Sequence, residues 1–190
     1  EIGIFTLNKL KADWIRDKAN IQFFYIQPNE NVPEKISKLL FPFQLPELKD
    51  VIKEFKPDIL HAHYASSYGF LGALSGFHPF VLSVWGSDVF DFPKISPIHK
   101  WILKFNLKKA DKICSTSYVM KEEIRKYTDK DIFVVSFGVD LNLFKPFYAP
   151  HVFKDNSIVI GTVKALEEKY GIEYLISAFN ILQKTLQGYP

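Results

Sequence analysis

Trp85, Gly86, Ser87 and Asp88 place a large aromatic ring, a flexible backbone, a hydroxyl and a carboxylate in four consecutive residues. Such a cluster can stack on a ring, approach a ligand closely and accept hydrogen bonds from hydroxyl groups. Plainer roles are open beside these. Trp85 can simply pack, and Asp88 can cap the turn or the segment after it. His61 and His63 lie at i and i+2, so on a strand they share one face. Two histidines spaced like this can line a cleft or begin a metal site. His78, His99 and His151 are scattered and offer no third ligand at a suggestive spacing, so no metal is expected. Lys164 and Lys169 are cations near a glycine, Gly161. They can face negative charge that develops in a reaction, or they can be two solvated lysines.

The elements that must carry these residues alternate. Phe80 to Val84 is a short apolar, β-branched run, which predicts a strand covered on both faces and ending at the Trp85 turn. Ile2 to Phe5, Ile21 to Ile26, Ile59 to His63, Lys112 to Ser115 and Ile132 to Ser136 read as further strands. Between the first two, Lys9 to Asn20 is polar and reads as a loop or short helix, and Asn29 to Pro33 reads as a turn. Leu48, Val51, Ile52 and Phe55 mark one face of a helix. Ile98, Trp101, Ile102 and Phe105 mark another, and each has a proline near its start. Ser66 to Phe77 and Ser117 to Tyr127 complete the helices of this half. Strand–helix alternation predicts an α/β fold with a doubly wound, mostly parallel sheet, whose ligands bind beyond the carboxyl ends of the strands.

The pattern breaks after Val139-Asp140. The expected divisions are a first domain over 1–140, a linker over 141–156 with Pro146 and Pro150, and a second α/β domain over 157–190. That second part shows one strand, Ser157 to Val163, and one helix marked by Ile172, Leu175, Ile176 and Phe179. One such unit cannot bury its own faces. The chain opens on Glu1 rather than Met and is expected to be a piece of a longer protein.

The totals narrow the class. A chain of 190 residues with 47% apolar content supports a real core, and 18 Phe and 3 Trp make that core aromatic. A net charge of +3 is too small to imply nucleic acid. The single cysteine, Cys114, excludes an internal disulfide and fits a reducing compartment. No apolar run is long enough to span a bilayer, and no signal peptide is recognisable. There is neither a Gly-x-Ser-x-Gly elbow nor a phosphate-loop Gly-x4-Gly-Lys-Ser/Thr. Lys94, Lys100, Lys104, Lys108 and Lys109 accompany the Ile98–Phe105 helix. This basic amphipathic segment is either a core helix with a solvated face or a peripheral membrane contact.

Five motifs in order resemble one family. Pro57-Asp58-Ile59-Leu60-His61-Ala62-His63, Val84-Trp85-Gly86-Ser87-Asp88, Ala110-Asp111-Lys112-Ile113 with Ser115, Phe137-Gly138-Val139-Asp140 with Phe144 and Pro146, and Ile160-Gly161-Thr162-Val163-Lys164-Ala165-Leu166 with Lys169 and Gly171 are similar to those of the retaining glycosyltransferases of GT-B family 4. The resemblance covers roughly residues 1–182. It implies a Rossmann-like acceptor-side domain, lacking its first βα unit, followed by the start of a nucleotide-sugar-binding domain.

The implied enzyme moves a sugar from a nucleotide donor onto a glycan or lipid-linked acceptor, with retention and without a metal or other cofactor. It implies work in polysaccharide biosynthesis in the cytoplasm, or at the inner face of the membrane. Asp88 is then the candidate catalytic residue. Gly161, Lys164 and Lys169 would face the donor phosphates. His63, Trp85, Gly86 and Ser87 would line the acceptor cleft, while His61 would be buried structure. Two departures stand out. Trp85 occupies a position where the family often has His, and Lys164 stands where Arg is usual, losing the planar fork. The family's Glu-x7-Glu motif is absent, so this stretch by itself is expected to be inactive. The other classes left open are a non-catalytic module that binds a sugar nucleotide or a partner protein, and a His-x-His metallohydrolase.

Overall fold

The computed structural model describes residues 1–6, 19–25, 41–145 and 159–186. It divides into two compact units, Glu1–Gly138 and Val139–Pro190.

In the first unit, β1 (Ile2–Thr6) pairs in parallel with β2 (Ile21–Tyr25), with Ile2 opposite Ile21 and Thr6 opposite Tyr25. The predicted loop or helix at 9–20 and the turn at 29–33 fall largely or wholly outside the described residues. Helix α1 (Leu45–Phe55) starts with Pro46 in its first turn and buries Leu48. It ends at Lys56, whose left-handed backbone (φ 50°) returns its N–H to the Ile52 carbonyl.

The second sheet contains β3 (Leu60–His63), β4 (Phe80–Val84), β5 (Lys112–Ser115) and β6 (Ile132–Val134), paired in that order and all parallel. Helix α2 (Ser67–Ser75) links β3 to β4. Two one-turn helices, α3 (Ser87–Phe90) and α4 (Phe92–Ile95), lead into α5 (Pro97–Lys109), which returns to β5. Helix α6 (Tyr118–Ile124) joins β5 to β6, with the Ser117 hydroxyl capping its start by accepting from the Met120 N–H.

This is the α/β, parallel arrangement that the alternation predicts, and it is Rossmann-like, as the resemblance implies. The core lies under one face of the second sheet. Phe80, Leu82 and Val84 alternate inward from β4 and meet Ile113, Leu103, Leu107, Val89 and Ile124. The opposite face is less covered than expected, since Val81 and Ser83 are only half-buried. Glycine makes the closest layer contact. A Cβ on Gly72 would sit 2.7 Å from the Phe80 ring, and one on Gly69 would sit 2.9 Å from Leu82.

The buried face of α5 differs from the one the spacing suggested. Leu103, Asn106 and Leu107 point inward, while Ile98 and Trp101 are 69% and 58% exposed. The helix carries two apolar stripes, so periodicity could not choose between them. Asn106 selects the inner stripe, because its buried amide donates to the Ala65 carbonyl at 2.7 Å.

The two sheets are separate among the described residues. The facing edges of β1 and β3 line one cavity of about 950 Å³, closed on one side by Leu48, Val51, Ile52 and Phe55 of α1. In β3, the Leu60 N–H bonds Pro79 O and the Tyr64 N–H bonds Ser83 O. Alternation therefore turns the His61 and His63 amides toward this cavity.

In the second unit a one-turn 3-10 helix (Glu168–Tyr170) precedes α7 (Ile172–Leu186), with left-handed Gly171 (φ 61°) between them. Residues 159–163 of the expected strand have no strand partner and are exposed. A strand needs a hydrogen-bonded neighbour, and none is present among the described residues. Ser157, Ile158 and the expected linker from Pro146 onward lie outside those residues. No helix of the described residues is long and apolar enough to cross a membrane.

Candidate functional site at the carboxyl ends of β3 and β4

Two turns meet where β3 and β4 end. Strand β4 gives way to Trp85, and Gly86 follows with φ 139° and ψ −85°, a backbone that a side chain strongly disfavours. Asp88 holds the turn. Its carboxylate accepts from the Gly86 N–H at 2.7 Å, from the Trp85 N–H at 3.1 and 3.2 Å, and from the Ala65 N–H at 2.7 Å. The last bond crosses to the turn after β3. Asp88 has no exposed surface at all.

Every hydrogen bond of this enclosed carboxylate runs to a backbone N–H. Its burial and the backbone amides that converge on it let Asp88 hold the two turns together. Asn106 fastens the turn after β3, its amide donating to Ala65 O.

Tyr64 is the residue that the spacing did not single out. It follows β3 immediately and holds φ 83°, rare for a side chain of its size. Its N–H donates to Ser83 O at 2.9 Å, its carbonyl accepts from Gly69 N–H at 2.9 Å, and its hydroxyl is hydrogen-bonded to the Ser87 hydroxyl. The sequence signal was an aromatic hydroxyl directly after a strand that leads to a ligand-facing edge.

Around these turns stands an aromatic corner. The Trp85 indole is 46% exposed. It meets the His63 ring edge-on at 5.5 Å and the Phe137 ring at 5.1 Å. His61 and His63 share one face, with ring centroids 4.1 Å apart. His61 bonds the Ser83 hydroxyl at 2.8 Å and is exposed rather than buried structure, because β3 is an edge strand whose inward residue is Ala62. Partial burial lowers the pKa of both histidines below the usual histidine range, and for His61 the neighbouring His63 adds to the effect. Both shifts favour the neutral ring. No group of three His, Cys, Asp or Glu side chains able to hold a metal ion occurs among the described residues.

The remaining candidates lie in the second unit. Gly161 is open, with nothing near where a Cβ would stand. Lys164 and Lys169 are brought together by Tyr170, their ammonium groups lying 5.2 and 5.0 Å from its ring centroid. Lys169 also pairs with Glu167 at 2.6 Å, which raises its pKa. Neither Tyr170 nor Glu167 was singled out from the sequence, since both read as ordinary loop residues.

An all-parallel sheet whose polar turns cluster at the carboxyl strand ends defines an α/β protein with a ligand-facing end. Known proteins narrow this class. A family model described as glycosyl transferase 4-like matches residues 1–117, and the chain belongs to that family. The chain is also similar to TuaC of Bacillus subtilis (strain 168), a protein whose name places it as a glycosyltransferase in teichuronic acid biosynthesis. The two are 30% identical over 96 residues, which is 49% of this chain and 25% of TuaC. The aligned stretch thus spans about a quarter of that relative.

Proposed function

We propose that this chain carries the acceptor-side domain, and the first part of the nucleotide-sugar domain, of a retaining glycosyltransferase with GT-B architecture. It would transfer a sugar from a nucleotide donor to a glycan or lipid-linked acceptor in polysaccharide assembly on the cytoplasmic side of a membrane. The observation that carries this reading is the Asp88-held turn with the Trp85–Phe137–His63 corner, set at the strand ends of a glycosyl transferase 4-like domain. The donor is a substrate, and no cofactor is invoked.

Each residue then has a defined task. Trp85 offers an exposed ring face against which a pyranose can stack, and Phe137 limits its tilt. Ser87, held by Tyr64, presents a hydroxyl, while Gly86 lets the backbone come close. Asp88 and Asn106 keep this rim in place without touching substrate. Departure of the nucleotide diphosphate develops negative charge, which Lys164 can stabilise as Tyr170 steadies its ammonium group. Lys169 is partly neutralised by Glu167 and has the weaker claim.

The test is sugar transfer by the full-length protein, using a panel of nucleotide sugars. Lys164→Ala should lower kcat/KM by roughly 100-fold, at the lower end of the cost of removing a charge-stabilising donor. The second reading is a non-catalytic sugar-nucleotide module, favoured by Trp85 at a position where a histidine is frequent. Binding of a sugar nucleotide with no transfer from any donor would decide for that module.

A further inference from the structure

The outward face of α5 carries apolar and cationic side chains together and has no acidic partner. From Phe92 to Ala110 the chain has five lysines and neither Asp nor Glu. Leu103, Asn106 and Leu107 fix which side of the helix is inward. At 100° per residue, Trp101 then lies at the centre of the opposite side. Ile98 and Phe105 flank it on one edge, and Lys104 and Lys108 on the other. Ile95, in the preceding helical turn, is 66% exposed. Trp101 stacks on Phe105 with centroids 5.4 Å apart, and Lys109 reaches over the same Phe105 ring at 5.8 Å. Among the described residues, none of Lys94, Lys100, Lys104, Lys108 and Lys109 forms an ion pair.

We infer that this face docks on an anionic lipid bilayer, with Ile95, Ile98 and Trp101 entering the headgroup boundary and the lysines meeting lipid phosphates. Charge complementarity selects the partner. Nucleic acid would engage the lysines but leave Ile95, Ile98 and Trp101 in water, whereas a bilayer boundary accepts both kinds of group at one depth. Tryptophan at the centre suits this position, because an indole favours the interfacial zone. The inference is independent of sugar transfer, since docking is measured with no donor or acceptor present.

The experiment is co-sedimentation of the protein with two vesicle types. One is phosphatidylcholine alone, and the other is phosphatidylcholine with phosphatidylglycerol. Binding to the second and not to the first is expected, and it should weaken as salt rises. Lys104→Glu with Lys108→Glu should lower the partition coefficient by about tenfold or more, at roughly 1 kcal/mol for each basic residue near an anionic surface. Ile98→Ser with Trp101→Ser should lower it at every salt concentration. All four positions are exposed or at the helix rim, so the melting temperature should hold in each variant and separate lost docking from lost folding.

Three results would overturn the inference. One is absence of binding to anionic vesicles. Another is binding to a soluble polyanion that matches vesicle binding and is untouched by Ile98→Ser with Trp101→Ser, which would make the face a nucleic-acid-like cation patch. The third is a dimer that dissociates with those same substitutions while vesicle binding stays unchanged, which would make the face a contact between copies.

Discussion

Asp88 is a buried carboxylate that serves as a backbone clamp. Its carboxylate collects backbone N–H groups from two turns that are distant in sequence. Asp88→Ala leaves those donors buried and unpaired, so a loss of about 2–4 kcal/mol in urea unfolding is expected. Asp88→Asn keeps one oxygen and should fall between the two. Unchanged stability with abolished transfer would instead argue for direct contact with substrate. Gly86→Ala should cost about 1–3 kcal/mol, because alanine strains at φ 139°.

Protonation offers a second reading at the same scale. His61 and His63 titrate lower in the folded chain than in the unfolded one, so the unfolded state binds protons first as pH falls. Their contribution therefore makes stability decline as pH drops below about 6.5, and histidine NMR titrations should place both midpoints under that value. Asp111 acts further down the scale. The Phe80 N–H at 2.6 Å, and then His78 at 2.7 Å, hold its pKa below the usual carboxylate range. Its stabilisation is complete above about pH 4 and is lost as pH falls through the lowered value, so Asp111→Asn should flatten the acid limb of the stability curve.

At the scale of elements, the two sheets and the helix layer explain what is rigid. Strand β4 has neighbours on both sides, whereas β1 and β3 each leave one edge on the cavity between them. Amide exchange should accordingly be slow at Leu82 and Val84 and fast at His61 and His63, which point into that cavity. Equal protection at all four would mean that the edge of β3 is covered. Helix α2 lies so close to the sheet that Gly72→Ala must displace the buried Phe80 ring. The helix gains about 1 kcal/mol in propensity from alanine, yet overpacking of about 1–3 kcal/mol offsets it. A net fall in melting temperature is the expected result, and a rise would show that α2 can move.

At the scale of the whole molecule, the proposed transfer would draw on residues of both units. The first presents the Trp85 corner, and the second presents Lys164. Trp85→Ala in the full-length protein should raise the acceptor KM while leaving the melting temperature nearly unchanged, since the indole is nearly half exposed. An effect on kcat alone would remove the stacking role.

Much of this was legible in the chain itself, because short-range rules govern it. The run Phe80–Val84 is a strand to the residue, as is Lys112–Ser115, since apolar β-formers bounded by turn residues leave little alternative. Gly86, Ser87 and Asp88 announced a special turn by type alone. Only the folded chain could settle which way things point. Asp88 turned inward because amides from the turns after β3 and β4 converge on it, one of them 23 residues away. Tyr64 joined the site through a hydroxyl bond of the same span. Helix α5 presented Trp101 to solvent because Asn106, on the opposite side, found Ala65 O some 41 residues earlier. Periodicity counts along one helix, and these choices are made by partners that the count never meets.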